Sequence, residues 1–244
     1  GTSKIEAFKI LTLPDPGDTV QLIRTLKIIP TIKFIVARLF FSVDVENKTR
    51  FSPQIFVETV FQSASAAYQA GVRYFEIHNE PNLENEGLNW NWRSGAEFGA
   101  WLSQVVLFLR ARLPEAQLGF PGLSPQPNAL DFLNGARSAI RQCDWLGAHS
   151  YWQSLEGGPY PMAASNAGMY WRSIRDQFPD KLVMITEFSN NNGGVDLEEK
   201  GRQYARYYQL LRHEANLGAA FSFALNWPDQ DANHEGWEYD DKET

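Results

Sequence analysis

Four short stretches of this sequence run from apolar residues into residues able to do chemistry. "RYFEIHNEPN", residues 73–82, passes from Tyr74, Phe75 and Ile77 straight into His78, Asn79 and Glu80. "GAHSYW" delivers His149, Tyr151 and Trp152, "ITEFSNN" delivers Glu187, and "ALNWPD" delivers Trp227. A lone buried charge is costly, so a carboxylate at the end of an apolar run is paired, solvated or functional. Taken together, two carboxylates, neutral hydrogen-bonding groups and aromatic faces suit the cleavage of a glycosidic bond. One carboxyl protonates the leaving oxygen and the other works at the anomeric carbon. Amide, imidazole and phenol groups hold hydroxyls, and an indole face stacks on a sugar ring.

The elements that must position these residues alternate along the chain. Apolar runs predict strands over Ile5–Leu13, Ile32–Phe41, Val72–His78, Gln117–Phe120, Trp145–Ser150, Leu182–Glu187 and Ala219–Asn226. Amphipathic segments predict helices over Thr19–Lys27, Pro53–Ala70, Ser94–Leu113, Ala129–Arg141, Ala163–Phe178 and Leu197–Leu217. Ser52-Pro53 and Ser94 are helix-start signals, and Gly71 and Gly218 stand where helices should end. "KFIVARLFF" and "AAFSFAL" are near-continuous apolar runs, as strands buried on both faces are. Strand and helix in alternation imply a parallel sheet with crossover helices, open or closed into a barrel. Such sheets bind ligands at the carboxyl ends of their strands, where the four chemical stretches fall. No Gly-x-Gly-x-x-Gly or Gly-Lys-Ser/Thr loop follows a strand, so neither a dinucleotide nor a P-loop site is expected. No linker or shift in composition divides residues 1–244, and a single domain is expected.

Composition narrows the function further. The 244 residues are 43% hydrophobic, enough for a substantial core, and close to the length of one (β/α)8 barrel. A net charge of −7 argues against a nucleic-acid partner. One cysteine, Cys143, allows neither an internal disulfide nor a cysteine zinc site and reads as a buried thiol. The four histidines show no ligand spacing, so no metal or other cofactor is expected. No stretch approaches the ~20 apolar residues of a membrane span, and no signal peptide is legible.

The motifs resemble those of the glycoside hydrolases of clan A. "EIHNEPN" is similar to the clan's fourth-strand Asn-Glu-Pro motif, "MITEFSN" to its seventh-strand motif, "CDWLGAHSYW" to its sixth strand and "FALNWP" to its eighth. Family 39 looks nearest, with family 5 next, and the likeness spans Arg38 to Asp229. The resemblance implies a (β/α)8 TIM barrel, here incomplete: seven strands are legible, and the first β/α unit and the last helix are not found. It implies a retaining hydrolase of β-linked glycans, with Glu80 as acid/base and Glu187 as nucleophile. Asn79 would meet the 2-hydroxyl, Tyr151 would donate to Glu187, His149 would orient the nucleophile or a hydroxyl, and Trp227 would floor the reacting sugar. A retaining reaction needs the two carboxyls about 5–5.5 Å apart. The expected partner is an oligosaccharide or polysaccharide, and a secreted or periplasmic location follows from the resemblance alone.

Other residues carry weaker signals. Trp90 and Trp92, in the polar loop "LENEGLNWNWRSG", read as a substrate platform, and Trp152 likewise. His78 is read as a contact to sugar or as core. Trp101, Trp145 and Trp171 read as core, Trp237 as a distant subsite or a tail residue. Glu76, four residues before Glu80, would lie about 13 Å deeper along the strand, paired with Arg38 or Arg73. A non-catalytic or truncated carbohydrate-binding barrel is the alternative reading.

Overall fold

A computed structural model describes residues 5–39, 41–224 and Glu235. Trp227 and Trp237 lie outside the described residues. The chain divides into two compact units, Gly1–Gly147 and Ala148–Thr244, and the division falls inside one strand.

The first unit holds β1 (Ala7–Leu11), α1 (Pro16–Lys27), β2 (Phe34–Leu39), α2 (Pro53–Gln69), β3 (Tyr74–Ile77), α3 (Gly95–Arg112), β4 (Gln117–Phe120), α4 (Ala129–Gly135) and α5 (Arg137–Ile140). A 3₁₀ turn, Glu84–Glu86, lies between β3 and α3. Strand β5 (Trp145–Trp152) begins here and continues into the second unit, which adds α6 (Tyr170–Gln177), β6 (Leu182–Asn190), α7 (Leu197–Leu211) and β7 (Leu217–Ser222). The pairs β1–β2, β2–β3, β3–β4, β4–β5 and β6–β7 are all parallel. Strand order in the sheet is chain order, β1 to β7. This is the succession of a TIM barrel with seven strands among the described residues.

Local chemistry explains the helix starts. Asp15, Ser52, Ser94 and Asp196 each cap a helix through a side-chain oxygen that accepts a first-turn N–H, and Pro16 and Pro53 follow two of those caps. Helix α2 buries Phe56, Val57, Val60, Ala64 and Ala67, and α3 buries Phe98, Trp101, Leu102, Val105 and Leu109. Between α3 and α4 the backbones come very close. A Cβ on Gly95 would stand 1.7 Å from the Phe132 carbonyl oxygen, so only glycine fits there.

Strands β5 and β6 run on to Trp152 and Asn190, past the ends expected at Ser150 and Glu187, and the largest differences from the sequence reading lie at three helix boundaries. The helix expected over Ala129–Arg141 is two short helices separated at Ala136. The helix expected from Ala163 begins only at Tyr170, because Gly168 packs its Cα against the Met162 carbonyl and Tyr207 Oη donates to the Gly168 carbonyl at 2.5 Å. The helix expected to run to Leu217 and end at Gly218 stops at Leu211. The left-handed residue before the next strand is Asn216, at φ 59°, and Gly218 lies inside β7. Gly71, at φ 91°, does follow the end of α2 as expected.

Glu76 has a partner that the sequence reading does not name. It is fully buried and its Oε2 pairs with Lys9 Nζ at 2.9 Å, while Oε1 accepts the Gly122 N–H at 3.1 Å. In the register of β1, β2 and β3, Lys9 stands opposite Val36 and Val36 opposite Tyr74. Lys9 is therefore two residues from the level of Glu76, on the same face. Arg73 instead pairs with Glu115 and covers the Tyr68 ring. Arg38 reaches toward Asn79. Cys143 is buried, as expected.

Candidate functional site

The end of β3 shapes the first unit's share of the expected site. After Ile77 the backbone turns through two left-handed residues, His78 at φ 72° and Glu80 at φ 34°. Side-chain-bearing residues visit this region at a cost, and they stay there only when their surroundings hold them. The turn lifts Glu80 out of the strand to an intermediate exposure, with its N–H donating to the Gly122 carbonyl at 3.1 Å.

Asn79 lies in a chain of hydrogen bonds. Arg38 Nη1 donates to its Oδ1 at 2.5 Å, and its Nδ2 donates to Glu86 Oε1 at 2.9 Å. These two charged neighbours, one cationic and one anionic, set which way the amide faces. A cavity of about 70 Å³ opens here, lined by Arg38, Leu39, Phe41, His78, Asn79 and Glu86. Glu86 carries no periodic or motif signal in the sequence, which is why it was not anticipated.

The His78 ring, at the edge of this cavity, packs into the core. Its ring lies parallel to Phe51 at 6.0 Å and meets Trp92 and Trp101 edge-on, and it is 3% exposed. Burial pulls its pKa down to about 4, so the imidazole is neutral near pH 7. Of the two readings of His78, sugar contact or core, this burial supports core. The platform expected of Trp90 and Trp92 is corrected for the same reason. Both are buried, at 6% and 1%, around Phe51. Trp90 Nε1 donates to the Glu84 carbonyl at 2.6 Å and Trp92 Nε1 to the Pro81 carbonyl at 2.7 Å. A polar loop can carry core indoles when each N–H finds a carbonyl.

In the second unit, β5 and β6 carry the other expected residues. Glu187 is largely buried on β6, and Tyr151 Oη on β5 donates to its Oε2 at 2.6 Å. His149 Nδ1 lies 3.6 Å from the same oxygen, and the His149 ring is fully buried. The alternation of β5 explains the pairing: residues 149 and 151 share one face, so both side chains reach one carboxylate. Trp152 falls on the other face. It is fully buried, stacks on Phe188, and donates its N–H to Gln203 Oε1 at 2.8 Å. It is a core residue, and the platform role read for it is corrected.

The sequence matches no family model and no curated protein. Its fold does occur among solved structures. A GH128 (subgroup VI) exo-β-1,3-glucanase from Aureobasidium namibiae matches with a TM-score of 0.60 at 11% identity, over 96% of this chain and 90% of that one. A glucosidase from Croceicoccus marinus matches with a TM-score of 0.64 at 14% identity, over 95% of this chain and 54% of that one. A β-mannanase from Thermomonospora fusca matches with a TM-score of 0.58 at 14% identity, over 95% and 73%. The likeness is one of fold, the TIM barrel found in these glycoside hydrolases, and it does not single out family 39.

Proposed function

We propose that this chain is a retaining glycoside hydrolase acting on β-linked glycans, with Glu187 as nucleophile and Glu80 as acid/base. The observation that carries the reading is the Tyr151 hydrogen bond to Glu187 Oε2, with His149 beside the same oxygen, in the carboxyl-terminal halves of β5 and β6. A carboxylate held through one oxygen by a phenol presents a fixed second oxygen, which a nucleophile needs. The fold likeness to a β-1,3-glucanase, a glucosidase and a β-mannanase supports the same class of chemistry.

The proposed reaction has two steps. A Glu187 oxygen attacks the anomeric carbon while the bond to the leaving oxygen breaks, and that oxygen takes the proton of Glu80. Glu80 then removes a proton from water, the water oxygen bonds to the anomeric carbon, and the Glu187 ester bond breaks. Asn79, its amide oriented by Arg38 and Glu86, is suited to a hydroxyl beside the reacting carbon.

Azide separates the two roles. With aryl β-glycosides of glucose, mannose and xylose as a panel, Glu187→Ala should lose turnover and regain it with azide, giving an α-glycosyl azide. Glu80→Ala with azide should give the β-glycosyl azide. Binding of β-glycans with no turnover by the unaltered chain would favour the non-catalytic carbohydrate-binding reading instead.

A further inference from the structure

We propose that Asn82, acting on the segment Gly122–Ser124 that leaves β4, is a positioning residue for Glu80. This rests on Glu80 being the acid/base. Glu80 sits at φ 34° and His78 at φ 72°, a backbone that would relax and re-aim the carboxyl if nothing opposed it. Three consecutive residues are tied down. The Glu80 N–H donates to the Gly122 carbonyl at 3.1 Å. The Pro81 carbonyl accepts the Trp92 indole N–H at 2.7 Å. The Asn82 side chain closes a two-point pair with one residue, its Oδ1 accepting the Ser124 N–H at 3.0 Å and its Nδ2 donating to the Ser124 carbonyl at 2.8 Å.

The segment that Asn82 grips is itself anchored from below. Glu76 Oε1 accepts the Gly122 N–H, and Glu76 pairs with Lys9. Gly147 leaves the room for this contact, since a Cβ there would stand 2.6 Å from the Gly122 nitrogen and 2.9 Å from Glu76 Oε1. Asn82 is 2% exposed, so it offers no face to a substrate. Its two bonds tie the residues after β3 to those after β4, with Glu80 lying between that pair and the strand. Losing them lets the Glu80 carboxyl shift without altering its chemistry.

Misplacing an acid has a kinetic signature that general destabilisation lacks. Departure of 2,4-dinitrophenolate needs no proton, whereas departure of 4-methylphenolate or an alkyl alcohol does. Displacement of a catalytic group by about 1 Å costs on the order of 100-fold. Asn82→Asp keeps the shape and the bond from the Ser124 N–H but cannot donate to the Ser124 carbonyl, and Asn82→Ala removes both bonds. Each should be compared with Glu80→Ala on matched 2,4-dinitrophenyl and 4-methylphenyl β-glycosides of one sugar.

The expected result, read as kcat/KM so that only the glycosylation step is reported, is a roughly 10- to 100-fold loss on the 4-methylphenyl substrate for the Asn82 variants, with less than about 3-fold loss on the dinitrophenyl substrate. Asn82→Asp is the backup should Asn82→Ala fail to fold. If Glu80→Ala shows this leaving-group dependence and folded Asn82→Asp does not, the positioning role is overturned while the acid/base reading stands. If Glu80→Ala shows no such dependence, or the unaltered chain turns over neither substrate, the acid/base reading itself fails and the positioning role with it.

Discussion

Replacing Tyr151 with Phe deletes one oxygen and leaves the ring beside His149 in place. The lost group is the phenol that donates to Glu187 Oε2 at 2.6 Å. A hydrogen bond to a charged acceptor contributes about 1.5–3 kcal/mol, and each 1.36 kcal/mol is a factor of ten in rate, so about 10- to 150-fold is at stake. The two chemical steps should divide that loss unequally. The bond is strongest to the free carboxylate and weakest to the neutral ester of the glycosyl intermediate. In the proposed reaction, attack by Glu187 therefore gives up the interaction, while ester breakdown restores it as negative charge returns to the carboxyl. Tyr151→Phe should slow breakdown more than attack, and the intermediate should accumulate. With a 2,4-dinitrophenyl β-glycoside, stopped-flow absorbance should show a burst of phenolate approaching the enzyme concentration, then a steady rate reduced about 10- to 100-fold. KM should fall along with kcat. A kcat within 2-fold of the unaltered chain and no burst, or a raised KM at constant kcat, would refute the assignment of Glu187 as the group that carries the glycosyl ester.

Other predictions concern stability. Lys9→Met removes the lysine from a fully buried Glu76 and should cost about 3–5 kcal/mol in urea unfolding, with the Lys9→Met/Glu76→Gln double variant closer to the unaltered chain than the single one. Gly95→Ala forces a methyl group onto the Phe132 carbonyl and should lower stability by at least 1–3 kcal/mol, read as a fall in Tm. His78 titrates near pH 4 when folded, below the ordinary value near 6.5, because burial disfavours its charge. The unfolded chain therefore binds this proton first as pH falls. Stability is present in full above pH 6.5 and is lost between 6.5 and 4, by on the order of 3 kcal/mol. His78→Phe should flatten that limb of a stability-against-pH curve, and an unchanged slope would contradict the burial argument.

The alternation of strands and helices was legible because it depends on local periodicity and capping. Ser52 and Ser94 act within a few residues of where they stand, and apolar runs such as "KFIVARLFF" report burial on both faces wherever they pack. The helix expected from Ala163 failed because a contact from Tyr207, 39 residues from Gly168, shapes that turn. The grouping of residues at β5 was also local, since positions 149 and 151 share a face in any strand. The face opposite them could not be assigned the same way. Trp152 is core because Phe188, Gln203 and Tyr207 cover it, and those residues come from β6 and α7.

By itself, then, the sequence determined the order of elements and the strands on or just after which Glu80, His149, Tyr151 and Glu187 stand, since each follows from neighbours within one element. Tertiary structure decided what the ends of those strands are made of. It turned Trp90, Trp92 and His78 into an aromatic core around Phe51, gave Glu76 to Lys9, set the Asn79 amide between Arg38 and Glu86, and joined Asn82 to Ser124 across 42 residues. The physical reason is that burial and hydrogen-bond partnership belong to pairs of elements. An indole in a polar loop is a platform or a core residue according to what packs over it, and that covering comes from distant parts of the chain.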